Sequence, residues 1–151
     1  MKWMYRRYAV DKSRICPSGA VSRPEAKIRV RGRQGETYLR VLLDTGADHT
    51  VLPYSIAADI GADLFEDEAD AAKGVGGHEI AIVPGKVELE LLDGDESCQW
   101  TAVIGFAKFA SAADECSIFG HAGCLEHFFA TFDGHAQVVE LTRRPNFPSL
   151  A

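Results

Sequence analysis

The sequence predicts a mostly-β domain, a barrel or a sandwich, and three observations carry that prediction. Polar and apolar residues alternate strictly from Lys27 to Arg33 and again from Lys86 to Leu92. Other short apolar runs end in turn pairs such as Asp93-Gly94 and Asp133-Gly134. Helix signals are brief and few. At 151 residues, 46% hydrophobic and 25% charged, the chain is one domain or at most two. A domain of this size buries roughly 68–70% of its unfolded surface, so a core is feasible. No run of about 18 apolar residues is present, as a spanning helix would need.

The elements follow in order. Residues 11–25 are rich in Ser, Pro and charge and read as a loose lead-in. From Lys27 to Arg33 the basic side chains share one face, with Ile28 and Val30 on the other: a half-buried strand. Gln34-Gly35-Glu36 is a turn, and Thr37–Leu43 completes a hairpin. Pro53 starts a helical segment, Tyr54–Ile60, that Gly61 ends. Asp63–Asp70 reads as a solvated acidic loop, and Gly74-Val75-Gly76-Gly77 as a turn between extended segments. Lys86–Leu92 turns Val87, Leu89 and Leu91 inward, Asp93-Gly94 is a hairpin turn, and Trp100–Phe106 is the next strand. Ile118-Phe119 is a short apolar pair, His121–His127 a helical segment, and Phe128–Phe132 with Gln137–Leu141 a final hairpin.

Charge is unevenly spread. Residues 1–40 hold eleven Lys/Arg and three Asp/Glu, a net of +8; residues 41–151 hold five and nineteen, a net of −14. A basic face without a recognition motif points to acidic strands in the same fold, or to a second subunit, before nucleic acid. Met1–Val10 has no apolar run followed by a cleavage site, so no signal peptide and a cytoplasmic location are expected. Cys16, Cys98, Cys116 and Cys124 are unpatterned and read as free thiols.

Chemistry concentrates in Val41–Pro53. Asp44 directly follows a buried apolar strand, Thr45 adds a hydroxyl, and Gly46 permits a tight loop with exposed N–H groups. Those three residues alone are also common at any strand-to-turn junction. The flanking residues decide between the two. The segment resembles the active-site loop of retropepsin-like aspartic proteases, a family of retroviral enzymes and bacterial relatives: two apolar residues, Asp-Thr/Ser-Gly-Ala, then Thr or Ser and an apolar residue. Two further family features recur in order. Gly74-Val75-Gly76-Gly77 stands where a Gly-rich flap belongs, 30 residues after Asp44 (74 − 44), and Ile118-Phe119-Gly120 matches the second signature, ending 76 residues after it (120 − 44). The resemblance covers residues 26–146, which leaves 1–25 as an N-terminal extension and 147–151 as a tail.

The resemblance implies a closed β-barrel-like acid protease fold with one short C-terminal helix, and a homodimer. Asp44 would be the catalytic carboxylate, Thr45 would hydrogen-bond across the dyad, and Gly46 would leave room for water and substrate. Ala47 and Asp48 would border the substrate, and Gly74, Val75, Gly76 and Gly77 would close over an extended peptide. Ile118, Phe119, Gly120 and His121 would support the loop. Hydrolysis by this route needs two carboxyls about 3 Å apart sharing one proton. Asp93-Gly94 and Asp133-Gly134 lack the intervening hydroxyl residue, so the second carboxylate must come from another copy.

His121 departs from the family pattern, which has Arg or Asn there; a His121–Asp48 pair would be pH-dependent. His49 and His78 neighbour the loop and flap and read as surface histidines. Cys116, His121, Cys124 and His127 carry zinc-type donors but lack two short pairs split by a longer loop, so no metal is expected, nor any cofactor. The function expected is an aspartic endopeptidase. The alternative is a catalytically weak dimerisation or peptide-binding module, since fold does not fix function. Expected partners are a second copy and a peptide or protein substrate, with neither nucleic acid nor membrane.

Overall fold

The structure is a computed structural model and describes residues 1–73, 79–94 and 96–148. Thirteen strands and one α-helix occur in it, in the order β1 (Lys2–Met4), β2 (Arg6–Ala9), β3 (Ala20–Arg23), β4 (Glu25–Arg31), β5 (Glu36–Leu43), β6 (Val51–Pro53), α1 (Tyr54–Ile60), β7 (Asp63–Leu64), β8 (Asp70–Lys73), β9 (Glu79–Asp93), β10 (Glu96–Ala107), β11 (Ile118–Phe119), β12 (Phe128–Asp133) and β13 (Val138–Arg143). The content is 55% strand and 11% helix, so the mostly-β expectation stands.

Alternation builds the barrel. Ile28 and Val30 of β4 and Val87, Leu89 and Leu91 of β9 are buried, the faces the alternation assigned inward, and Val41 and Leu43 of β5 are buried beside them. Six strands close in a ring, β10-β6-β11-β5-β4-β9, with β9 pairing back to β10. Closure leaves the ring no free edge. The β9–β10 hairpin is the longest, pairing Asp93 with Glu96 at one end and Ile82 with Ala107 at the other. Its turn uses Gly94 at φ 56°, a conformation that suits glycine.

The basic strand finds its acids inside the fold. Arg29 pairs with Glu90 at 2.6 Å and Glu36 at 3.5 Å, Arg31 with Glu36 at 3.1 Å and Glu88 at 3.4 Å, and Arg33 with Asp63 at 2.8 Å.

A second sheet, ordered β1-β13-β12, packs against the barrel. Trp3 of β1 is buried and its indole N–H donates to the Leu92 carbonyl at 2.9 Å. Trp100 of β10 is fully buried, and its ring meets Phe119, Phe128 and Phe147 edge-on at 6.1, 5.8 and 5.5 Å between centroids.

Three local expectations change. The lead-in over 11–25 contains β3, which pairs with β2 as a separate two-stranded hairpin. The acidic stretch contains β7 and a 3₁₀ turn at Glu66–Glu68, with β8 starting at Asp70. The helix is α1, where Gly61 at φ 63° closes Tyr54–Ile60, and not a C-terminal one. His121–His127 contracts to a 3₁₀ turn at Leu125–His127, because Gly123 takes φ 71° two residues before it.

Candidate active site

The loop bearing Asp44 is held by the second signature. Strand β11 lies parallel to the end of β5, pairing Ile118 with Leu42 and Phe119 with Leu43, and antiparallel to β6 through Ile118 and Val51. Two apolar residues at each position are what a strand wedged between two others requires. The Asp44 N–H donates to the Phe119 carbonyl at 3.1 Å, which fixes the point where the chain leaves the sheet.

Beyond that point the loop folds back. The Gly46 N–H donates to Asp44 Oδ1 at 2.9 Å, and the Ala47 N–H to the Asp44 carbonyl at 3.3 Å. A Cβ on Gly46 would stand 3.3 Å from Oδ1. Asp44 is half-buried, whereas Thr45, Gly46, Asp48 and His49 are exposed. One carboxylate oxygen is therefore oriented by the backbone, and among the described residues nothing bonds the other.

Gly120 and His121 sit directly under the loop. The His121 N–H donates to the Ala47 carbonyl and the Ala122 N–H to the Asp48 carbonyl, each at 2.9 Å. A side chain on Gly120 would come within 2.2 Å of the His49 carbonyl oxygen, so only glycine fits this crossing. The sequence-predicted loop residues Asp44 to Asp48 and support residues Ile118 to His121 are thus brought together. The flap assigned to Gly74, Val75, Gly76 and Gly77, with His78 beside it, lies outside the described residues. Its flanking strands β8 and β9 are antiparallel, with Lys73 opposite Glu79.

The His121–Asp48 pair is a correction. Both residues are exposed and no ion pair joins them; backbone hydrogen bonds secure the crossing instead. Among the described residues no cluster of metal-ligating side chains forms. Cys124 is fully buried, and burial pushes its thiol up to about 12, so it packs as a small apolar residue.

Two residues escaped the sequence reading. Thr50 is 1% exposed, and its Oγ1 accepts the buried Gly120 N–H at 3.0 Å, which ties the two signatures together. Its place inside the matching loop pattern was a usable signal. Glu25, at the start of β4 opposite Leu42, is buried; its Oε1 accepts the Tyr8 hydroxyl at 2.5 Å, and its Oε2 has no partner among the described residues. Nothing in the local sequence marks it.

Among known proteins, residues 26–93 match the family model described as aspartyl protease, a retropepsin-like family. No curated protein matches the chain. No helix among the described residues is long and apolar enough to cross a membrane.

Proposed function

We propose that this chain, with a retropepsin-like aspartyl protease match over residues 26–93, is an aspartic endopeptidase whose active site is completed by a second copy. One observation carries the reading: Asp44 leaves the sheet at a backbone-fixed point with Oδ1 already oriented by Gly46. A preset carboxylate is suited to positioning a water.

The chemistry then needs a second carboxyl. Asp44 of each protomer faces its mate across a two-fold axis, and the pair shares one proton because two such groups about 3 Å apart cannot both ionise. The ionised member takes a proton from water, and the resulting hydroxide adds to the scissile carbonyl carbon. The protonated member hydrogen-bonds the carbonyl oxygen. The C–N bond breaks as nitrogen takes up the proton that the first carboxyl removed from water, the carbonyl re-forms, and the dyad again holds one proton. Thr45, exposed in the single chain, meets its counterpart across the axis, and Gly46 with Ala47 and Asp48 borders an extended peptide. The two carboxyls titrate together, giving a bell-shaped rate profile displaced to acid pH.

Replacing Asp44 by Asn tests this reading. Peptide cleavage between about pH 4 and 7 falls to background while the fold and the oligomeric state persist. Cleavage that survives the substitution contradicts the mechanism. A folded dimer without cleavage in either form assigns the chain to peptide binding instead.

A further inference from the structure

The hairpin β2–β3 stands apart from both sheets. It pairs only with itself, from Arg6 with Arg23 at its root to Ala9 with Ala20, and none of its residues from Arg6 to Arg23 is fully buried. An isolated two-stranded hairpin is marginal in water and needs a surface to pack on. It meets the barrel through the Tyr8–Glu25 hydrogen bond, and within the hairpin the Arg6 and Arg23 guanidiniums lie over the Tyr8 ring at 5.3 and 5.1 Å.

The charge on the hairpin is unspent. Residues 6–23 carry five Lys/Arg and one Asp, a net of +4. Among the described residues none of these five cations forms an ion pair, whereas Arg29 and Arg31 on β4, and Arg33 just after it, do. At the tip Ile15 is 98% exposed.

The root of the hairpin fixes what lies near it. Pro24, the residue after β3, accepts the Leu43 N–H at 2.9 Å, and Asp44 is the next residue along. In a dimer with Asp44 on the axis, an element rooted beside Leu43 is at the subunit boundary. We infer that β2–β3 is a dimerisation arm that lies on the acidic body of the second copy, its cations Arg7, Lys12 and Arg14 meeting exposed carboxylates there and Ile15 buried at the contact. Two features select a second copy as the occupant. The body of this same chain, residues 41–151, carries a net of −14. Two copies of net charge −6 repel unless each arm neutralises the other's body. The inference rests on the dimer proposed above.

Sedimentation equilibrium on the full chain tests it, comparing wild type with the triple variant Arg7→Glu, Lys12→Glu, Arg14→Glu. The variant is expected to dimerise roughly tenfold or more weakly at about 50 mM salt, and the gap is expected to narrow at about 500 mM, where charges are screened within a few ångströms. An unchanged dimer constant, or a deficit that salt does not reduce, overturns the arm while leaving the dimer standing. A variant that keeps its dimer constant but loses retention on immobilised DNA assigns the arm to nucleic acid and also overturns the proposal. A wild-type chain that stays monomeric and still cleaves peptide removes the dimer reading, and the arm with it.

Discussion

At the scale of single residues, the loop that presents Asp44 depends on groups that never reach the cleft. Thr50 is sealed beneath the loop, and its hydroxyl oxygen is the partner of the buried Gly120 N–H. Thr50→Val keeps the shape and removes that acceptor, leaving the amide unpaired. The expected cost is about 1–3 kcal/mol in denaturant unfolding. Cleavage is expected to fall further than the loss of folded protein explains, because the β11 crossing positions the loop. Glu25 poses a different case: a carboxylate that is 6% exposed with one oxygen unpartnered among the described residues. The Tyr8 hydroxyl donates to its other oxygen, and bonding to that carboxylate holds the phenol above its usual range. A phenol with a raised pKa contributes its stabilisation up to its ordinary value near 10 and loses it only as pH rises through the higher folded value.

Among the elements, the β4–β5 face is organised by charge and the β1–β13 pairing by burial. Tyr38 and then Arg31 hydrogen-bond Glu36 and hold its carboxyl below the usual range. A depressed folded value means stabilisation present above the ordinary value of 4.5 and lost as pH falls through the lowered one. Glu36→Gln is therefore expected to lower the unfolding midpoint at neutral pH and to converge on wild type in acid, as thermal melts across pH will show. Trp3→Ala should cost about 3–5 kcal/mol, measured by chemical denaturation, because β1 is a working part of the core and not a dispensable leader. That outcome separates Trp3 from the hairpin immediately after it. The same contrast explains what the sequence disclosed. Strands β4 and β9 were legible because their alternation reports a single buried face, β5 because a β-rich run follows the turn at Gln34-Gly35-Glu36, and α1 because Pro53 and Gly61 bracket it. Strand β1 was not, since Lys-Trp-Met has no periodicity and its partner β13 is more than a hundred residues away. The helical reading of His121–His127 failed because the backbone of Gly123 turns left-handed just where a helix would have to run. Of the site, the Asp44 loop and the β11 signature were readable as patterns. The Thr50 link between them is a tertiary contact across seventy residues, and no local pattern encodes it.

On the level of the whole molecule, one barrel supplies one oriented carboxylate. Charge is balanced within the barrel at Arg29, Arg31 and Arg33 and left open on the β2–β3 hairpin beside the Asp44 loop. These features share a reason if the functional unit is two chains. Mixing experiments reach that claim most directly. Wild-type chain is mixed with increasing amounts of Asp44→Asn chain under conditions where subunits exchange, and peptide cleavage is followed at fixed wild-type concentration. A dyad built from one Asp44 per protomer makes every mixed dimer inactive. Cleavage should then fall in proportion to the wild-type fraction, to about half at an equal mixture. Cleavage that stays constant as the variant is added would contradict the shared site.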